Sequence, residues 1–171
     1  MPIAVFFLVF YSYTKRFTWT CHLFLGIALG LAPIGAWIGV SAEVALPPIL
    51  LGLGVMFWVA GFDIVYATQD FEFDRKHGIH SIPARFGLKR ALQISSALHV
   101  IAPILFLVVG LLLDLGLFYY LGVAIAVLLL FRQHQIISVS DLSRVNFAFF
   151  NLNGYLSVLL FIFALIDLCL I

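Results

Sequence analysis

Residues 46–74 read L-P-P-I-L-L-G-L-G-V-M-F-W-V-A-G-F-D-I-V-Y-A-T-Q-D-F-E-F-D. From Leu46 to Tyr66 the run is apolar and long enough to cross a hydrocarbon core as a helix, which takes roughly 20 residues. A membrane strand would alternate apolar and polar side chains, and this run does not. Acids then accumulate toward its C-terminal end. Asp63 sits inside the apolar run, and Asp70, Glu72 and Asp74 follow beyond it.

Four further segments have the same character, near 22–41, 91–113, 117–137 and 147–170, making five spans. A sixth apolar stretch, Met1–Tyr13, is too short to cross. It lacks a basic start and an A-x-A-like cleavage site, so it reads as the tail of a helix that begins earlier rather than as a signal peptide. The composition agrees: of 171 residues, 64% are hydrophobic and 10% are charged, whereas a soluble domain is about half apolar and a quarter charged. A water-soluble core could not hide so much apolar surface, so membrane lipid is the expected surrounding. The fold class is all-α, a polytopic transmembrane helix bundle forming one membrane domain over residues 1–171. The net charge of +1 provides no field to recruit nucleic acid. Cys21 and Cys169 have no metal-type spacing and read as apolar packing. Gly26-x-x-x-Gly30 and Gly35-x-x-x-Gly39 have a spacing that permits close helix approach, although apolar sequence also produces it by chance.

Alternating spans place segments 14–21, 67–90 and 132–146 on one side. These hold Lys15, Arg16, Arg75, Lys76, Arg85, Lys89, Arg90, Arg132 and Arg144, which are all nine lysines and arginines. The opposite loops hold none. By the positive-inside rule the basic side is cytoplasmic, and the chain ends on the other side, just after Asp167.

The chemistry gathers where the second span leaves the membrane. On a helix with Asp63 at zero, Asp70 falls at about −20°, Asp74 at about +20° and Tyr66 at about −60°. Glu72 points away. Three carboxylates and a phenol thus share a stripe roughly 16 Å long. Stacked like charges destabilise a bare helix, and an acid within a span usually marks function. A hard divalent cation such as Mg²⁺, bound by carboxylates and substrate phosphates, would relieve the repulsion. The plainer alternative is a solvated helix end whose acids pair with Arg75, Lys76 and Arg85. Gly78 and Pro83 then break the helix, giving a loop with His77, His80, Ser81 and Arg85. Its cations, with Lys15 and Arg16, could bind diphosphate oxygens; Lys15 and Arg16 are equally ordinary membrane anchors. In the last basic loop and the following span, Asn146, Asn151 and Asn153 are candidates for a supporting role or for helix-to-helix hydrogen bonds.

Asp63-x-x-Tyr66-Ala67-x-x-Asp70-x-x-x-Asp74, followed by Arg75-Lys76-x-Gly78-x-x-Ser81-x-Pro83-Ala84-Arg85-Phe86-Gly87, resembles the second aspartate-rich motif of the UbiA superfamily of intramembrane prenyltransferases. Tyr13-Thr14-Lys15-Arg16-Phe17-Thr18 resembles the segment before that family's fifth helix, and Asn153-Gly154-Tyr155 the start of its last. Gln69–Asp74 and His77–Ser81 look closest to bacterial 4-hydroxybenzoate polyprenyltransferase-like members. The resemblance implies a nine-helix fold of which this chain lacks roughly the first three helices, five full spans plus a partial N-terminal one. It also implies a bacterial inner-membrane location and Mg²⁺-dependent transfer of a polyprenyl group from a prenyl diphosphate to an aromatic acid, such as 4-hydroxybenzoate, in quinone biosynthesis. Asp63, Asp70 and Asp74 would hold the metal and, with Tyr66, form the catalytic set. Lys15, Arg16, Arg75, Lys76, Arg85 and Asn153 would bind substrate.

The family's first motif, of N-D-x-x-D-x-x-x-D type, has no counterpart here. The expectation is a fragment whose remaining helices come from the same gene, with stand-alone activity in doubt. The alternatives are a non-catalytic truncated membrane protein and, further off, an ion or solute transporter, which would not explain the motif continuing to Gly87.

Overall fold

The computed structural model describes residues 2–170, with the side chains at 2–4, 8 and 12 excepted. Eight α-helices follow one another: α1 (Pro2–Thr14), α2 (Cys21–Ser41), α3 (Leu46–Ala67), α4 (Phe71–His77), α5 (Ile82–Phe86), α6 (Leu88–Leu112), α7 (Leu117–Ile136) and α8 (Asn153–Leu170). A 3₁₀ turn, Thr68–Asp70, joins α3 to α4, and a π-helical stretch, Phe147–Leu152, leads into α8. Five stretches are long and apolar enough to span a membrane: Cys21–Ser41, Leu46–His77, Leu88–Leu112, Leu117–Ile136 and Phe147–Leu170. They match the five expected spans, with α6 starting three residues earlier because Gly87 ends the preceding turn and leaves Leu88 free to begin a helix. Large apolar side chains such as Val100, Leu111, Leu128 and Phe161 point outward, as lipid-facing residues of a bundle do.

Small residues set the helix spacing. A Cβ at Gly26 would collide with the Met56 carbonyl, and one at Gly30 with the Gly52 carbonyl, so α2 and α3 meet backbone to backbone. Gly35 and Gly39 have open space around them instead. On the other face of α3, Gly54 seats the Phe106 ring and Gly61 the His99 ring, drawing α6 close. Asp167 closes the bundle at the end opposite the basic loops. Its carboxylate accepts the backbone N–H groups of Gly116 (2.6 Å) and Tyr119 (3.2 Å) at the start of α7. These amides have no partner within their own helix, and an anion also suits the positive end of the helix dipole.

Two local departures from regular helix matter for the site. The Thr68 hydroxyl donates to the Val65 carbonyl at 2.6 Å, competing for a helical acceptor and tightening the next turn. At 120° per residue over three residues, the turn rotates Asp70 and Asp74 by about 60° relative to Asp63. Near the last span, the Asn153 amide donates to the carbonyls of Ala148 (3.4 Å) and Phe149 (3.0 Å), engaging the widened turn before α8.

Gly52→Val should cost roughly 1–3 kcal/mol through overpacking against α2. Gly35→Ala should be neutral or slightly stabilising, since Ala is the better helix former. Unfolding titrations in detergent check both, and equal losses would contradict the packing described.

Candidate active site

Acids buried at the end of an apolar bundle need partners, and the chain supplies them from the loop 78–83. Gly78 ends α4 with φ +66°, a conformation open to glycine at little cost, and the chain turns back. Ser81 caps α5, its hydroxyl accepting the Ala84 N–H (3.3 Å) while donating to Asp74 Oδ2 (2.7 Å). One residue on, the Ile82 N–H donates to Nε2 of His22 at 3.3 Å. Nε2 is therefore the acceptor, and Nδ1 carries the proton donated to Asp63 Oδ2 at 2.7 Å. Asp63 and His22 are both buried, and Tyr11 on α1 abuts the same carboxylate. The loop also grips the α1–α2 turn, where the His80 N–H donates to the Lys15 carbonyl (2.8 Å) and the Cys21 thiol approaches the His80 carbonyl (3.7 Å).

This strap divides the expected site residues into groups. Lys15, Arg16, Asp70 and Asp74 line one open cavity of about 330 Å³, floored by Phe73 and Ile79. Arg75 and Arg85 face a second of about 360 Å³ on the other side of Asp74, with His80. Arg75 lies over the Phe71 ring (5.4 Å) and Arg85 over Trp19 (5.9 Å), each cation being held on an aromatic face. Lys76 is exposed and lines neither cavity. Asp63 lies outside both linings, engaged with His22. Asn153 stands apart, accepting the Trp58 indole N–H (3.1 Å) beside an apolar cavity of about 620 Å³ that Phe62, Val55 and Phe161 also line. The Tyr66 ring packs 4.3 Å from Phe149. In the last basic loop, the Ser143 hydroxyl first, and then the Ser143 N–H that donates to the Asp141 carboxylate at 2.9 Å, hold the Asp141 pKa below the usual carboxylate range.

The donor set decides what metal could bind. Among the described residues, no three histidine, cysteine, aspartate or glutamate side chains converge closely enough to hold an ion. A cage made wholly of these side chains is therefore not formed. Two hard carboxylates, Asp70 and Asp74, share a cavity with two cations. That fits Mg²⁺, which commonly takes one or two carboxylates and fills its octahedron with water and phosphate oxygens. His22 and Ser81 are the supporting residues whose roles the motif spacing does not disclose. His22 could have been singled out by the rule applied to Asp63, that an ionisable residue inside an apolar span marks function.

The UbiA prenyltransferase family model matches residues 1–155. A 4-hydroxybenzoate octaprenyltransferase of Francisella tularensis subsp. novicida is 27% identical over 165 residues, covering 96% of this chain and 57% of that protein. Its counterpart in Marinobacter nauticus is 36% identical over 126 residues, covering 73% of this chain and 42% of that one. The apo structure of a UbiA homolog from Aeropyrum pernix K1 superposes with a TM-score of 0.86 at 32% identity, over 98% of this chain and 62% of the other. The chain thus spans about half the length of the curated relatives it matches. By sequence and by fold, it belongs to the UbiA prenyltransferase family.

Proposed function

We propose that this chain forms the second aspartate-rich half of a Mg²⁺-dependent site that transfers a polyprenyl group from a prenyl diphosphate to an aromatic acid, such as 4-hydroxybenzoate. The observation that carries this reading is the cavity in which Asp70 and Asp74 face Lys15 and Arg16. A diphosphate is the ligand that uses both halves of such a set, its oxygens taking the cations directly and the carboxylates through a shared metal. The name of the Francisella relative supplies the acceptor class. The remaining helices of a full-length relative would complete the site, and the basic end of the bundle would face the cytoplasm.

Lys15 and Arg16 would bind the diphosphate and stabilise the charge it gains as the allylic C–O bond breaks. Asp70 and Asp74 would hold Mg²⁺, which when bound neutralises charge on the leaving group. Ser81 keeps Asp74 turned toward the cavity, and His22 fixes Asp63 behind it. Asp63 would thereby support the metal site from the bundle side rather than join Asp70 and Asp74 in their cavity. Tyr66 would shield the developing allylic cation with its ring face. The aromatic ring of the acceptor then attacks that carbon and releases a proton. The apolar cavity beside Trp58, Phe62 and Asn153 would take the prenyl tail.

A non-hydrolysable prenyl thiodiphosphate titrated into nanodiscs holding this chain should bind in the presence of Mg²⁺ and lose at least roughly tenfold in affinity with EDTA. Asp70→Ala and Asp74→Ala should each abolish the Mg²⁺-dependent part, and Ser81→Ala should weaken it less. Metal-independent binding unaffected by both aspartate substitutions would contradict the assignment.

His22→Ala removes the imidazole donor of the buried Asp63 carboxylate and the acceptor of the Ile82 N–H, and should cost about 1–3 kcal/mol. Thermal unfolding in detergent checks this, and an unchanged midpoint would show that the pair is not a structural tie.

A further inference from the structure

The sequence groups Arg75 and Arg85 with Lys15 and Arg16 around one diphosphate, and the fold parts them. Arg75 and Arg85 line a separate open cavity of about 360 Å³ with Gly78, His80 and Ala84. It shares only Asp74 and Ile79 with the cavity that Lys15 and Arg16 line. Among the described residues, neither guanidinium is paired with a carboxylate. Asp74, the one acid in the lining, is buried and accepts the Ser81 hydroxyl. The arginines rest on rings instead, Arg75 over Phe71 at 5.4 Å and Arg85 over Trp19 at 5.9 Å and Phe86 at 5.7 Å. A ring face attracts the cation but supplies no oxygen for its N–H groups. Two arginine forks without a carboxylate partner thus border one cavity, and that is the donor set oxyanions recruit.

Charge and depth narrow the choice of anion. Two arginines against one aspartate leave the lining one positive charge in surplus with His80 neutral. A singly charged phosphodiester balances that surplus, whereas a diphosphate exceeds it. From Gly78 to Arg85 the lining falls between the end of one span at His77 and the start of the next at Leu88. Trp19, beneath Arg85, packs edge-on against Phe86 at 5.2 Å, and tryptophan favours the level of lipid headgroups. Lys89 and Arg90 follow, exposed, on the first turn of α6, adding to the attraction for anionic lipid.

We infer that the Arg75–Arg85 cavity is a second oxyanion site, built for a singly charged phosphate group such as the phosphodiester of a membrane phospholipid. Its two arginines stand on α4 and α5, the helices joined by the strap. A phosphate bridging them would brace the strap from outside the diphosphate cavity and steady the Ser81 hydroxyl on Asp74. The site does not depend on prenyl transfer, because neither arginine lines the diphosphate cavity.

The test uses the chain in dodecylmaltoside, a detergent without phosphate, with ¹⁵N-labelled arginine side chains assigned by single substitution. Dihexanoylphosphatidylglycerol should shift Nε of both Arg75 and Arg85 saturably, while dihexanoylglycerol, which lacks the phosphate, should not. Arg85→Gln should weaken the response of Arg75 at least roughly tenfold, the loss expected from a charge-assisted hydrogen-bonding partner. Unchanged Arg132 and Arg144 signals show that this variant is folded. Asp70→Ala should leave the response intact, since Asp70 lines only the other cavity. Inorganic phosphate is titrated separately at matched ionic strength. A much weaker response than to the lipid assigns the site to headgroups, an equal one assigns it to phosphate from solution, and either supports an oxyanion site. No saturable shift with either probe would overturn it. So would equal shifts at Arg75, Arg85, Arg132 and Arg144, the pattern of diffuse attraction to a basic surface, or a response confined to Arg16.

Discussion

Burying carboxylates at the edge of an apolar helix bundle is unfavourable unless each finds a hydrogen-bond donor. At the basic end of this protein that requirement is met around one short strap. Residues 78–83 turn back from α4, so that Ser81 donates to Asp74, while the Ile82 amide fixes the His22 tautomer that donates to Asp63. The same strap binds the Lys15 carbonyl and so sets the α1–α2 turn beside Asp70. Without these contacts the two acids would have to find other partners or water, and the cations of the turn would have no fixed relation to them.

A second local feature separates the surroundings of the acids. A regular helix would have kept Asp63, Asp70 and Asp74 in one stripe. The tight turn at Thr68–Asp70 fans them apart, leaving Asp63 against α2 while Asp70 and Asp74 face an open cavity. The lower part of the bundle is organised differently, by glycine contacts between α2 and α3 and by ring-in-glycine seats between α3 and α6. Polar chemistry at the basic end and apolar packing through the membrane thus meet along α3, which carries both.

Much of this was legible in the residues. Five apolar runs of spanning length, and nine cations confined to alternate loops, fix the helices because bilayer thickness and loop charge constrain sequence strongly. The Asp63-to-Gly87 motif identifies the family because its length makes coincidence improbable. What escaped depends on local competition and long-range contact. The 3₁₀ turn arises from one hydroxyl, Thr68, taking a carbonyl that the helical pattern assigns elsewhere. His22 meets Asp63 across 41 residues, a pairing no spacing rule contains. Asn153 was open to a supporting role or to helix-to-helix hydrogen bonds, and only the folded chain shows its amide on the π-helical turn and its oxygen accepting from Trp58. Gly35-x-x-x-Gly39 has the same spacing as Gly26-x-x-x-Gly30, and only the latter faces a partner.

The central claim is that Asp70 and Asp74 present a divalent metal to a diphosphate held by Lys15 and Arg16. Mn²⁺ substituted for Mg²⁺ allows this to be read directly, by pulsed electron–nuclear double resonance with a prenyl thiodiphosphate bound to the chain in nanodiscs. The account predicts a ³¹P hyperfine coupling of the size expected for a phosphate oxygen on the metal, absent when Asp70 and Asp74 are both replaced by asparagine. A spectrum showing only water protons around Mn²⁺ in the ligand-bound wild-type chain would contradict it.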